Sequence, residues 1–212
     1  MKNYSKYKNP IIAHRGAWKE YNLPQNSIAS LKKAIEIGCG GSEFDVHLTK
    51  DAVVVVNHDH DFYGLDIESY SYKALLKNNH PNGEKLPTLI EYLEEGLKQK
   101  ETKLILEVKS SNVSLARTFL MIDLIKDYVE TKSLENQLEF ILFSFDAANY
   151  MKQQLPTYQI SYLNGDKTPQ DIKSAGLDGI DYEYVVFQEN LNYFEECKIY
   201  GLSSNSWTVN TE

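Results

Sequence analysis

Short apolar runs alternate with amphipathic stretches along most of the chain. Residues 11–14 and 42–48 have the extended, apolar character of buried strands. Between them, Ile28, Leu31 and Ile35 recur at helical spacing, and Gly38 follows as a helix terminator. The pattern predicts a first unit of strand, helix and strand.

The same order continues to the end of the chain. Further strands are predicted at 103–108, 138–143, 159–163, 179–182 and 206–209. Helices are predicted at 88–100, 114–131, 169–175 and 188–200, and one more follows the strand 138–143 and ends at residue 154. Alternating strands and helices are typical of a parallel sheet with helices outside it. The seven core strands, which exclude the extended run 53–56, are one fewer than a closed (β/α)8 barrel needs. A doubly wound open sheet is disfavoured, because no Gly-x-Gly-x-x-Gly follows the first strand.

Composition narrows the class of protein. The 212 residues, 42% hydrophobic and 25% charged, predict one soluble domain over residues 1–212. The net charge of −8 argues against nucleic acid or an anionic membrane as the main partner. Residues 1–10 lack the apolar stretch of a signal peptide, and no segment is long and apolar enough to cross a bilayer, so we expect a cytoplasmic protein.

Ionisable residues stand where four apolar runs end: His14 and Arg15, Glu43 and Asp45, His58 and Asp59, Glu107 and Lys109. Residues two apart in a strand share a face, so Glu43 and Asp45 project together. Glu107 lies at the corresponding end of the next core strand and is a candidate third ligand. Three carboxylates favour a hard cation, Mg²⁺ or Ca²⁺. Buried ion pairs of these acids with Arg15 and Lys109 are the alternative interpretation.

Two of the five histidines are candidates for proton transfer. His14 and His58 both end apolar runs, and an imidazole can serve as general base or general acid near neutral pH. The sequence leaves open which one does which. His47 suits a polar interior role as well as a catalytic one, and His60 and His80 are expected at the surface.

Six motifs together resemble the glycerophosphodiester phosphodiesterases. In order they are His14-Arg15-Gly16, Pro24-Gln25-Asn26-Ser27, Glu43-x-Asp45-Val46-x-x-Thr49-x-Asp51, His58-Asp59, Leu86-Pro87-Thr88-Leu89 and Glu107-Val108-Lys109. The resemblance implies a TIM-barrel fold, a divalent cation, and cleavage of glycerophosphodiesters to glycerol 3-phosphate and an alcohol.

The resemblance also assigns roles to single residues. Glu43, Asp45 and Glu107 become metal ligands, and His14 and His58 become the catalytic acid–base pair. Arg15 and Lys109 become phosphate-binding residues. Residues 59–86 correspond to a short inserted segment near the active-site mouth, and their sequence does not identify the alcohol.

The chain departs from the family at its end. Family members continue past Trp207-Thr208-Val209-Asn210 with a helix and an eighth strand, whereas this sequence stops at Glu212. We therefore expect a TIM barrel that lacks its last strand and helix, through shortening, cleavage or a partner that fills the gap. Self-association across the open edge is one expectation. Two alternative functions are a catalytically silent phosphate-binding barrel and a phospholipase resembling sphingomyelinase D.

Overall fold

In the computed structural model, residues 9–209 are described. The prediction of a cytoplasmic location uses residues 1–10, of which residues 1–8 lie outside the described range. Asn210 of the stretch Trp207-Thr208-Val209-Asn210 also lies outside it. The strands are β1 (Ile12–Ala13), β2 (Gly41–Leu48), β3 (Val54–Val56), β4 (Asp61–Phe62), β5 (Leu65–Asp66), β6 (Lys103–Val108), β7 (Leu138–Leu142), β8 (Gln159–Tyr162), β9 (Gly179–Glu183) and β10 (Ser203–Trp207). The helices are α1 (Ile28–Glu36), α2 (Tyr72–Leu75), α3 (Leu89–Gly96), α4 (Leu115–Val129), α5 (Phe145–Gln154), α6 (Pro169–Ser174), α7 (Tyr184–Glu189) and α8 (Tyr193–Tyr200).

The chain divides into two compact units, one up to Glu139 and one from Phe140 onward. In the first unit, β2 is flanked by β1 and β6, both parallel to it. The short β3 returns antiparallel along the end of β2, with Val46 opposite Val56. The carboxyl ends of β1, β2 and β6, which carry the predicted site residues, therefore meet at one edge of this sheet.

The helix α1 begins where the sequence predicts. Ser27 is its N-cap, and Ser27 and Ser30 bond each other's backbone N–H groups as a capping box. Leu31 and Ala34 are fully buried, so the apolar face of the helix packs inward.

The inserted segment 59–86, for which the sequence analysis predicts no strand or helix, contains regular structure. It contains the β4–β5 hairpin and the short helix α2. Phe62, Ile67, Leu75 and Leu86 form one buried apolar cluster with Val55 of β3. This cluster attaches the segment to the sheet beside the carboxyl end of β2.

In the second unit, β8 and β10 pair in parallel with β9. The prediction of a single helix at 188–200 is wrong, because the end of α7 and the whole of α8 lie there. Asn190 ends α7, and both its backbone and its side-chain N–H groups donate to the carbonyl of Val186. Such side-chain competition for a helix carbonyl is a known cause of helix termination.

Seven strands, namely β1, β2 and β6 to β10, alternate with helices within residues 9–209, and no strand follows β10 in that range. Among the helices of this range, none combines the length and apolar character needed to span a bilayer.

Candidate active site

Three buried carboxylates lie together at the carboxyl end of β2 and β6. The parallel register places Asp45 directly beside Glu107, and Glu43 precedes Asp45 by two residues on the same face of β2. One oxygen from each carboxylate lies within 4.8 Å of the other two. The structure thus brings together the three acids that the sequence proposes as ligands.

Burial and mutual repulsion make this cluster electrostatically unusual. Burial, followed by the charges of Asp45 and Glu107, raises the pKa of Glu43 well above its ordinary value. Burial and the charge of Asp45 raise the pKa of Glu107 to about 7. Burial also acts to raise the pKa of Asp45, but the charge of Lys109 and hydrogen bonds from Lys109 and Asn26 outweigh it and lower that pKa.

Lys109 is the principal cation beside the acids. Its Nζ atom lies 2.9 Å from Oδ1 of Asp45 and 2.7 Å from Oε1 of Glu107. The ion-pair interpretation therefore holds for two of the three carboxylates. Oε1 of Glu43 is buried and has no hydrogen-bond partner among residues 9–209. An unsatisfied buried carboxylate oxygen beside two others fits a divalent cation that prefers oxygen ligands.

The turn after β1 holds Arg15 against this cluster. Arg15 has a φ of 60° and Gly16 a φ of 77°, so the backbone turns sharply through the left-handed region. The backbone N–H of Arg15 donates to Oε2 of Glu43 at 2.8 Å. A Cβ atom on Gly16 would lie 2.7 Å from the backbone carbon of Ser30, so only glycine fits here.

Two neighbouring amides, Gln25 and Asn26, complete the site, and the sequence did not identify either as a site residue. Asn26 Nδ2 donates to Oδ2 of Asp45 at 2.8 Å, and the N–H of Asp45 donates back to Oδ1 of Asn26 at 3.1 Å. The guanidinium of Arg15 donates from Nη1 to Oε1 of Gln25 at 2.8 Å. Their position in the Pro24-to-Ser27 motif was the available signal.

His14 lies at the exposed rim of the site. Arg15 Nε donates to Nε2 of His14 at 3.2 Å, so this nitrogen carries a lone pair. Desolvation and the Arg15 guanidinium lower the pKa of His14, although 62% of its side chain is exposed. Its imidazole is therefore neutral at pH 7. The charges of Asp45, His58 and Lys109 also act on the pKa of His14, as is expected of groups that lie near one another.

His58 is held from two sides. Its Nδ1 donates to Oδ1 of Asp59 at 2.7 Å, which fixes the ring and leaves Nε2 as the second nitrogen. Its carbonyl accepts a hydrogen bond from Nε2 of His47 at 2.9 Å. Burial lowers the pKa of His47 to about 4, so His47 is a neutral donor that anchors the backbone of His58.

The prediction that His80 lies at the surface is wrong. His80 is only 5% exposed, and its Nδ1 pairs with the hydroxyl of Tyr63 at 3.1 Å. It packs edge-on against Phe62, inside the inserted segment. His60 is partly buried, with its ring 4.7 Å from that of His47.

Taken together, the site combines acidic ligands for a cation, two imidazoles and two cationic side chains. This set can bind a phosphodiester, offset its charge and transfer protons on both sides of the phosphorus. All seven residues proposed from the sequence lie in the first unit, at the carboxyl end of its sheet.

Known proteins carry the same fold and sequence pattern. The Glycerophosphoryl diester phosphodiesterase family matches residues 14–212. A glycerophosphodiester phosphodiesterase of Caldanaerobacter subterraneus is 29% identical over 95% of this chain and 86% of its own length. A glycerophosphodiester phosphodiesterase from Parabacteroides distasonis, known from a crystal structure, is 42% identical in sequence. Its structure matches that of this chain with a TM-score of 0.91, over 96% of this chain and 85% of that one.

Fold and site define a phosphoric diester hydrolase of the α/β TIM-barrel class, and this predicted fold class is confirmed by the seven strands that alternate with helices within residues 9–209. The chain belongs to the glycerophosphoryl diester phosphodiesterase family. The resemblance drawn from the sequence motifs and the enzyme class that it implied are thereby also confirmed.

Proposed function

We propose that the chain hydrolyses glycerophosphodiesters to glycerol 3-phosphate and an alcohol, with a divalent cation held by Glu43, Asp45 and Glu107. The observation that carries this proposal is the buried carboxylate cluster, in which Oε1 of Glu43 lacks a hydrogen-bond partner within residues 9–209. A phosphodiesterase of Oleispira antarctica, 22% identical with a TM-score of 0.81, has been solved in complex with the product sn-glycerol-3-phosphate.

The donor set narrows the cation to Mg²⁺ or Ca²⁺, since all three side chains offer oxygen. A bound cation of this kind would neutralise the carboxylates and polarise a phosphate oxygen. In its absence, Lys109 neutralises part of the cluster. Arg15, oriented by Gln25, and Lys109 would both offset the negative charge of the phosphate.

The surroundings of the two histidines favour different roles. His14 is neutral and has an unprotonated Nε2, so it is the general base that activates water or the glycerol hydroxyl. His58 donates from Nδ1 to Asp59, and this carboxylate stabilises the ring when its Nε2 also carries a proton. His58 is therefore the general acid that protonates the leaving alcohol.

The test is release of glycerol 3-phosphate from glycerophosphocholine, glycerophosphoethanolamine and glycerophosphoinositol with Mg²⁺, Ca²⁺ or EDTA. We expect turnover of at least one substrate with a cation and none with EDTA. Glu43→Gln should lose turnover by about 10²-fold or more. Glu36→Gln, which changes an exposed acid paired with Lys33 on α1, should retain it.

An absence of cation-dependent release from every substrate would contradict the proposal and favour a silent phosphate-binding barrel. Equal activity with EDTA would contradict the role of the carboxylates. The cytoplasmic location, the single domain over residues 1–212 and self-association across an open edge stay predictions.

A further inference from the structure

A largely buried carboxylate of the inserted segment reaches the loop that begins at Lys109. Glu68 lies between β5 and α2, and only 6% of its side chain is exposed. The loop runs from residue 109 to residue 114, between β6 and α4. Oε1 of Glu68 accepts a hydrogen bond from the hydroxyl of Ser111, and Oε2 accepts one from the N–H of Asn112 at 2.9 Å. The carboxylate therefore joins the inserted segment to two successive residues of the loop.

Arg117 of α4 connects the same carboxylate to the end of β2. Its Nε atom donates to Oε1 of Glu68 at 3.2 Å, and its Nη2 atom donates to the carbonyls of Leu48 and Thr49. Removing a carboxylate from water costs free energy unless the group is paired and hydrogen-bonded. The three donors around Glu68 offset this cost. The end of β2, the loop after β6 and the inserted segment are thereby held together at one point.

Lys109 depends on this loop for its position. Its backbone N–H donates to the carbonyl of Val46 on β2 at 3.3 Å. Two residues further on, Glu68 holds the hydroxyl of Ser111, and Oγ1 of Thr118 holds the N–H of Ser111 at 2.9 Å. A lysine side chain is flexible along its four-carbon stem, so its ammonium group is placed accurately only if the backbone that carries it is fixed. The bonds to Val46 and Glu68 restrain the chain at Lys109 and just beyond it.

We propose that Glu68 is a positioning residue for the reaction, which restrains the loop after β6 so that Lys109 meets the phosphate of the substrate. This inference rests on the proposed function, because it takes Lys109 as a phosphate-binding residue. An effect of charge alone would have the opposite sign, since removing a negative charge from this region should strengthen the binding of an anion. Weaker phosphate binding after neutralisation of Glu68 therefore indicates lost positioning.

The experiment is a double-mutant cycle on the binding of glycerol 3-phosphate. Dissociation constants are measured by calorimetry at saturating Mg²⁺ or Ca²⁺ for the wild type, Glu68→Gln, Lys109→Met and the double variant. KM and kcat on the preferred glycerophosphodiester are measured for the wild type and Glu68→Gln. Asp66→Asn is the matched control, since it neutralises an exposed carboxylate of the same segment, which accepts from the N–H of Ser69 within that segment.

We expect Glu68→Gln to weaken the binding of glycerol 3-phosphate by about tenfold and to raise KM more than it lowers kcat, because Lys109 also contacts the phosphate in the ground state. In the Lys109→Met background the same change should have less than about a twofold effect. Asp66→Asn should have no effect in either background. Ser111→Ala keeps the charge of Glu68 and should weaken binding about threefold, which tests the inference even if Glu68→Gln does not fold.

Equal losses with and without Lys109, or a loss in Asp66→Asn as large as that in Glu68→Gln, would overturn the inference and leave Glu68 a structural role alone. Unchanged or tighter binding in both Glu68→Gln and Ser111→Ala would overturn it as well. Failure of the wild type to bind glycerol 3-phosphate and to hydrolyse any glycerophosphodiester would overturn the proposed function itself, and the inference with it.

Discussion

Asn26 and Asp45 exchange two hydrogen bonds, one from the side-chain amide to Oδ2 of the carboxylate and one from the N–H of Asp45 to the amide oxygen. Both residues are fully buried. Asn26 thereby orients the central carboxylate of the cluster before any cation binds. The φ of Asn26 is 55°, a backbone conformation that asparagine tolerates better than most residues.

We predict that Asn26→Ala lowers the free energy of unfolding by about 2 kcal/mol, because a buried hydrogen bond to a charged group is lost. Urea denaturation measures this change. Asn22→Ala is the control, since Asn22 is exposed and also has a positive φ, of 51°. Equal losses in the two variants would mean that the bonds to Asp45 contribute nothing beyond the backbone conformation.

Gly16 offers a second test of how the turn after β1 positions Arg15. Gly16→Ala should cost well over about 1 kcal/mol of stability and reduce turnover, because the added Cβ meets the backbone of Ser30. Gly38→Ala has a similar φ of 75° but meets nothing within 4 Å, so it should show the backbone cost alone. A Gly16 variant as stable and active as the Gly38 variant would contradict this account of the turn.

Lys109 gives a prediction about cation removal. In EDTA, Lys109→Met should lose about 3 kcal/mol of stability or more, because Asp45 and Glu107 are left buried without their shared ammonium partner. Added Mg²⁺ or Ca²⁺ should restore much of this loss, measured as the rise in Tm with cation concentration.

Lys103→Met provides the comparison for that experiment. Lys103 also lies on β6 and is paired with Glu139, away from the three carboxylates. Its loss of stability should be the same with and without the cation. A cation response of Lys103→Met as large as that of Lys109→Met would contradict a specific site at the carboxylate cluster.

The acids and histidines could be predicted from sequence because each lies in a predicted strand or directly after an apolar run, and strand geometry alone puts Glu43 and Asp45 on one face. Asn26 could not be identified in this way. Its partner Asp45 lies 19 residues further on, and their contact depends on the left-handed turn at Arg15 and Gly16. Beside Ser27, the same asparagine looks like part of an ordinary helix cap.

The hairpin, helix and apolar cluster of the inserted segment cannot be predicted from sequence for a similar reason. Phe62, Ile67, Leu75 and Leu86 follow no helical or strand period in the sequence. They become a core only when they meet Val55 in space. Likewise, the division between α7 and α8 depends on a hydrogen bond from the side chain of Asn190, which the apolar pattern of residues 188–200 does not reveal.

In the second unit, Asp181 predicts a pH dependence of stability. Burial raises its pKa from 3.8 to about 6, so the folded chain binds more protons than the unfolded chain between these values. The contribution of Asp181 to stability is therefore greatest at low pH and decreases as the pH rises through about 6. Asp181→Asn should stabilise the protein by up to roughly 3 kcal/mol at pH 8 and by much less at about pH 4. A gain in the free energy of unfolding that is equal at both pH values would contradict this assignment.

The roles of His14 and His58 are tested most directly by the dependence of their variants on the leaving group. Turnover of glycerophosphocholine is compared with that of the p-nitrophenyl ester of glycerol 3-phosphate, whose leaving group needs no proton. We predict that His14→Ala reduces kcat about 10²- to 10⁴-fold on both substrates, whereas His58→Ala does so only on glycerophosphocholine. Equal losses of His58→Ala on both substrates, or wild-type turnover in either variant, would contradict the account.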